Sequence, residues 1–386
     1  MTLRDVGVLG VGMTPFGVHR ESAPADLARE AGLAAMADAG IGFRDVRESF
    51  VGHLGGPLVG VKAMKEFGLT GLPVTHVENA SATGLSAFRE AAWAVASGRC
   101  DVAMALGFDK MTEMMQGVGA GSARGVGRDR IDAMILPAAY FALWATRRMH
   151  ERGTKPAHFA AIAAKNWNHG ALNPLSHRRP DHVVTAEEVL AAPLVSDPIT
   201  TMMTCPVSDG AACAIVARRD LAARLAPGRP LVTVRAAVLQ SETYTPGHTF
   251  LGPVVGPATM SRDTAREAYE QAGLGPGDVQ LALCHDAFAN EELEYYELLG
   301  FCKEGEAESL VESGATTLGG RIPWNTDGGL IARGHPAGPT GLAQIHEVVT
   351  QLRGAAGPRQ VPNARIGLAH LVGGGSVCVV VILGRE

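Results

Sequence analysis

The sequence predicts an α/β protein made of two similar halves joined around an insertion. Three observations lead there. Segments of the chain repeat one another in the same order, and strand-like and helix-like runs alternate along both copies. The composition is 46% hydrophobic but only 5% aromatic, with 48 glycines, which suits closely packed layers. At 386 residues the chain is also too long for one ordinary core.

The elements follow in order. A strand begins directly after Arg4 and Asp5, so no signal peptide is expected. Its Gly7-Val8-Leu9-Gly10-Val11-Gly12 lacks the third glycine of a dinucleotide-binding turn, and Pro15 interrupts it before any helix. A helix containing Ala28-Arg29-Glu30-Ala31 then leads through Ala39-Gly40-Ile41-Gly42-Phe43-Arg44-Asp45-Val46 to a strand at 49–51. The same order returns later: a helix containing Ala265-Arg266-Glu267-Ala268, then Ala272-Gly273-Leu274-Gly275-Pro276-Gly277-Asp278-Val279, then a strand at 281–284. Thr83-Gly84-Leu85 opens an apolar helix and Thr340-Gly341-Leu342 opens another, followed by buried strands at 101–107 and 364–371. The halves are expected to span residues 1–110 with 195–225, and 230–386. Between them, residues 111–194 break the alternation, are rich in His, Asn and Arg, and hold a helix-like run at 139–152. Long insertions of this kind usually carry function, so a loop domain covering the substrate is expected.

The bulk chemistry excludes several classes. A net charge of −5 without a basic stripe argues against nucleic acid. Cys100, Cys205, Cys213, Cys284, Cys302 and Cys378 are scattered with no C-x-x-C pair, which predicts free thiols in a reducing compartment and no zinc. The longest apolar run, near 377–383, is far short of a membrane span, so a cytoplasmic protein is expected. No G-x-S-x-G elbow of an α/β-hydrolase occurs.

Ser81 is the candidate reactive residue. It ends a turn of small residues at the positive end of a helix, where backbone N–H groups lack intrahelical partners. That setting suits a nucleophile or an anion, although serine is also a common cap. The segment Val77-Glu78-Asn79-Ala80-Ser81-Ala82-Thr83-Gly84 resembles the nucleophile loop of thiolases, most closely those of the sterol carrier protein type, where the equivalent residue is cysteine. His285-Asp286-Ala287-Phe288 resembles the family's His-Asp-Cys-Phe, and Gly334-His335-Pro336 its Gly-His-Pro. His370-Leu371-Val372-Gly373 resembles the final His-Asn-x-Gly, departing from it at Leu371. Further matches at Gly107-Phe108-Asp109-Lys110-Met111 and Asp209-Gly210-Ala211-Ala212 keep the same order along essentially the whole chain.

This resemblance implies a thiolase fold: two five-stranded α/β halves in a five-layered α-β-α-β-α arrangement plus a loop domain. It implies a homodimer built through the first half. The substrate class is an acyl-CoA thioester, with coenzyme A as part of the substrate and no separate cofactor. Thiolase chemistry needs a nucleophile, an acid/base at the carbon alpha to the thioester, and oxyanion holes. By resemblance, His285 and His335 serve the enolate oxygen, and the backbone N–H groups of Ser81 and Gly373 form a second hole. His370 and Tyr295 are further candidates, Tyr295 as an extra acid or base.

Two parts are missing. Ser81 replaces the nucleophilic cysteine, and Ala287 stands at the acid/base cysteine. A hydroxyl is a far weaker acid than a thiol, so Ser81 needs a base, for which His335 is the evident candidate. Three readings result. One is a retro-aldol or Claisen-type C–C bond enzyme without a cysteine nucleophile, as in some relatives of sterol side-chain degradation that work with a small zinc-ribbon/OB-fold partner. Another is acyl transfer through Ser81 with His335 as base. The third is a non-catalytic acyl-CoA-binding subunit.

Overall fold

The computed structural model describes residues 4–114, 137–243, 258–374 and 376–386. The repeat seen in the sequence is a repeat in three dimensions. The helices Pro24–Ala39 and Ala258–Ala272 are each followed by a glycine in the left-handed region, Gly40 at φ 67° and Gly273 at φ 65°. Glycine adopts this conformation without steric cost. Each chain then makes a short turn closed by an aspartate: Gly42 N–H donates to Asp45 at 2.9 Å, and Gly275 N–H to Asp278 at 2.8 Å.

The strands are β1 (Val6–Met13), β2 (Glu48–Gly52), β3 (Val74–Val77), β4 (Val102–Lys110), β5 (Leu194–Ser196) and β6 (Ile199–Thr200). They continue with β7 (Asp209–Arg218), β8 (Val232–Ser241), β9 (Leu281–Leu283), β10 (Ile366–Gly373) and β11 (Val377–Arg385). Nine of them form one sheet in the order β3-β2-β4-β7-β1-β8-β11-β10-β9, while β5 and β6 pair separately. Read inward from either side, the sheet repeats itself. β2 and β4 are parallel and β7 returns antiparallel to β4, just as β9 and β10 are parallel and β11 returns antiparallel to β10. The halves meet where β1 pairs with β8, at Gly7–Thr233 and Val8–Val232. Only β3 lacks a counterpart in the second half among the described residues.

Each half buries both faces of its sheet. Along β4, Ala103 and Ala105 pack into one core, while Met104, Leu106 and Phe108 pack into a second core that includes Leu27 and Ala31 of the first helix. This period-two division is what a strand covered on both sides requires. The helices Thr83–Ala96 and Ala337–Leu352 lie between the halves and cross on small residues. A Cβ added to Gly84 would lie 2.7 Å from the Gly338 carbonyl oxygen, and one added to Gly341 would lie 2.9 Å from the Gly84 carbonyl carbon. Main chain rests on main chain there, with the Leu85 side chain packed beside Gly341.

The insertion supplies the helices Pro137–Arg152 and Pro156–Ala171, and its segment 115–136 lies outside the described residues. The second helix is fastened to the C-terminal half by buried polar groups. Lys165 pairs with Glu292 at 2.8 Å, and Asn166 donates to both Asp286 (2.8 Å) and Glu292 (2.7 Å). Tyr296 donates to Glu292 at 2.5 Å. The first helix adds Arg148, which is ion-paired to Glu294, Glu297 and Glu308.

Candidate active site

The crossing of the central helices sets the candidate site, because each carries one candidate residue just ahead of its N-terminus. Ser81 Oγ and His335 Nε2 lie 2.9 Å apart. Ahead of Ser81, Ala80 sits at φ 47°, a left-handed conformation unusual for a residue with a Cβ. Such outliers cost about 1–3 kcal/mol and cluster at functional sites. The turn is held by Asn79, whose N–H donates to Thr83 Oγ1 at 2.8 Å and whose side chain donates to Ser86 Oγ at 2.9 Å.

The hydrogen bonds around His335 assign its tautomer. Thr340 Oγ1 donates to the Pro336 carbonyl at 2.6 Å and also lies 2.8 Å from His335 Nδ1. The hydroxyl has one proton, already given to Pro336, so Nδ1–H must donate to it. Nε2 then carries a lone pair and accepts from the Ser81 hydroxyl. Burial, followed by the neighbouring His285 and Arg333, holds His335 well below the usual histidine range, so it rests neutral.

His285 follows β9, and its ring meets the His335 ring edge-on at 5.5 Å. Its Nδ1 lies 2.7 Å from Glu291 Oε2, and the other carboxylate oxygen accepts the Phe288 N–H at 3.0 Å. Nδ1–H thus donates to a buried carboxylate, which is also the counter-ion an imidazolium would need in order to donate from Nε2. Asp286 fixes this segment to the short helix Gly329–Arg333 before His335 by accepting the Leu330 N–H at 2.7 Å.

The remaining sequence candidates divide. Gly373, at the end of β10, abuts the Ser81 turn so closely that an added Cβ would run into the Asn79 carbonyl and lie 3.1 Å from Ala82 Cβ. Tyr295 and His370 lie in the interior behind His285 instead. The Tyr295 hydroxyl reaches Glu291 at 3.4 Å, and its ring packs on His370 at 4.3 Å. Burial, then Glu291, holds the Tyr295 phenol well above its usual range. His370 faces Ser261 at 3.2 Å, and burial lowers it to about 3. Both are buried in the interior and packed against each other.

Three residues were not singled out from the sequence. Glu291 reads there as an ordinary acid in the first turn of a helix. Thr340 is visible only as one copy of the repeated Thr-Gly-Leu. Cys205 is one of several scattered thiols, yet its N–H donates to the Ala287 carbonyl at 2.8 Å. No group of three or more His, Cys, Asp or Glu side chains suited to a metal ion occurs among the described residues, and no helix there is long and apolar enough to cross a membrane.

Duplicated α/β halves, with a serine–histidine pair where their central helices cross, define a two-half enzyme scaffold of the thiolase class. Family models agree: "Thiolase, N-terminal domain" matches residues 6–220 and "Thiolase C-terminal domain-like" matches residues 254–385. Sterol carrier protein 2 of Homo sapiens is 37% identical, covering 99% of this chain and 72% of that protein. An acetyl-CoA acetyltransferase of Methanothermobacter thermautotrophicus is also 37% identical, over 99% of this chain and 100% of that one. Among solved structures, an Ltp2-ChsH2(DUF35) aldolase superposes with a TM-score of 0.85 at 25% identity, covering 100% of this chain and 99% of that one. The chain belongs to the thiolase superfamily of acyl-CoA enzymes.

Proposed function

We propose that the protein cleaves, or in reverse forms, the C–C bond beside the thioester of a β-hydroxyacyl-CoA by a retro-aldol route that uses no cysteine nucleophile. The hydrogen bond from Ser81 to a neutral His335 carries this reading. In cleavage, the substrate's β-hydroxyl gives its proton to Ser81 as Ser81 gives its own to His335 Nε2. The Cα–Cβ electrons move into the thioester, and a ketone or aldehyde departs. The thioester oxygen becomes an enolate oxygen facing His335 and His285. His335 resists protonation in its resting surroundings, so its charge appears together with the enolate charge that offsets it. The backbone N–H groups of Ser81 and Gly373 would supply a second hole. Protonation of Cα completes the shorter acyl-CoA. The aldolase neighbour at 25% identity supports the same reaction class.

The test is incubation with a panel of β-hydroxyacyl-CoAs, with release of a carbonyl compound and a shorter acyl-CoA as the expected result. No release from any of them, with the partner protein present, would overturn the reading. Acyl transfer through Ser81 is a second reading, favoured by the chain Ser81–His335–Thr340, which has the form of a nucleophile, its base and an orienting group. Intact-mass measurement separates the two, since only acyl transfer adds an acyl group to Ser81. Binding with no turnover would leave a non-catalytic acyl-CoA-binding subunit.

For assembly we infer a homodimer joined at β3, the sheet edge next to the Ser81 turn, where Thr75 and His76 are exposed. An unpaired edge of this kind is a ready pairing surface. A small zinc-ribbon/OB-fold partner is inferred by analogy with the DUF35 component named for the aldolase neighbour.

A further inference from the structure

We propose that Cys205 is the acid that protonates Cα, supplying from the facing strand the thiol that residue 287 lacks. This rests on the enolate reading above. Thr204 and Phe288 form an isolated antiparallel bridge, so one step along the register sets Cys205 opposite Ala287. The 2.8 Å hydrogen bond from Cys205 N–H to the Ala287 carbonyl fits that register. Opposed residues of an antiparallel pair send their side chains to the same face, with Cβ atoms about 5 Å apart. The Cys205 sulfur is therefore presented on the same face as the Ala287 methyl, two residues along the chain from His285.

The other thiols do not qualify. Cys213, Cys284 and Cys378 are fully buried, whereas Cys205 keeps some exposure. Cys100 follows the helix Thr83–Ala96 and Cys302 follows the helix Ala289–Leu298, both at the far ends from the reactive turns. Burial pushes the Cys205 thiol up to about 12, against the opposing pull of Arg178, with Asp286 and Glu291 raising it further. It rests as S–H at neutral pH, as a proton donor must.

The step balances. The S–H bond breaks and its proton forms a C–H bond with the enolate electron pair at Cα, which restores the thioester carbonyl. The thiolate, near the Arg178 guanidinium, recovers through water the proton that His335 took from the β-hydroxyl. The net change is transfer of that proton from oxygen to carbon, with nothing consumed.

The half-reaction can be run without any C–C bond change. In D2O, the enzyme should exchange the α-protons of propionyl-CoA, followed by mass spectrometry. Cys205→Ala should slow exchange by roughly 10²–10⁴-fold, the usual worth of a positioned acid or base, with propionyl-CoA affinity unchanged. The double variant Cys205→Ala/Ala287→Cys should restore exchange by moving the thiol across the ladder, which a merely structural role would not do. Cys205→Ser, nearly isosteric, should fold normally and still lose exchange. Exchange at the wild-type rate in either single variant would overturn the role of Cys205. Absence of exchange in the wild type would overturn the enolate reading itself, and this inference with it.

Discussion

Gly84→Ala perturbs the Ser81–His335 distance without touching either side chain. The new Cβ would lie 2.7 Å from the Gly338 carbonyl oxygen and 2.9 Å from the Gly341 nitrogen, all main-chain atoms with no rotamer to escape into. Reaching ordinary contact, near 3.4 Å, requires the helices to part by about 0.7 Å. Gly84 lies three residues after Ser81 and Gly338 three after His335, so the parting is passed on to the pair. A 2.9 Å contact opened by that amount becomes about 3.6 Å, which is no longer a hydrogen bond. Misplacements of this order cost up to about 10²-fold in rate. Stability should change far less, since overpacking costs about 1–3 kcal/mol while replacing a helical glycine by alanine returns up to about 1 kcal/mol. The assay pairs α-proton exchange of propionyl-CoA with urea unfolding, and uses Gly277→Ala as a control because nothing lies within 4 Å of a Cβ there. Full activity in Gly84→Ala would refute the idea that the helix crossing gauges the site.

Thr340→Val keeps the shape but leaves the buried His335 Nδ1–H without its acceptor. The expected cost is about 1–3 kcal/mol, roughly 5–150-fold in kcat, with ¹⁵N chemical shifts showing a mixed His335 tautomer; unchanged kcat and shifts would contradict the assignment. Arg148→Ala strands the carboxylates of Glu294, Glu297 and Glu308 in a nearly buried position and should cost about 3–5 kcal/mol in urea unfolding; a loss below about 1 kcal/mol would show the cluster to be solvated. Burial lowers His53 and His346 to about 4 and His169 and His370 to about 3. The folded state thus binds fewer protons than the unfolded chain, and the stability from these groups, full above pH 6.5, is lost as pH falls through 4. Asp109 and Glu294, raised by burial to about 7 and about 6, act in the opposite sense, as do Asp286 and Asp327, which burial also raises. These four carboxyls face six lowered histidines once His177 and His335 are included. Urea midpoints at pH 8, 6 and 4.5 should therefore decline, and a flat profile would contradict the burial of these rings.

The duplication was legible because it is written in local signals. A left-handed glycine and an aspartate three residues after the next glycine recur in both copies, and each acts only on its own neighbours. The pairing of Ser81 with His335 is different in kind. It depends on Gly84 and Gly341 meeting across 257 residues, and a glycine's lack of a side chain says nothing about which backbone will approach it. Glu291 and Cys205 were hidden for a related reason: a helix-start acid and a lone thiol become distinctive only when the fold sets them beside His285 and Ala287. Tyr295 and His370 show the converse. Their motif neighbours line the site, but the period of a helix and the alternation of a strand turn these two inward.

The fastening of the helix Pro156–Ala171 bears on how rigidly the segment carrying His285 is held. Lifting that helix would separate Lys165 from Glu292 and strip Asn166 from two buried carboxylates, a cost of several kcal/mol for the ion pair alone. It is riveted and not hinged. Because Asp286 adjoins His285, the position of that histidine is then set by a fixed wall rather than by an element free to swing.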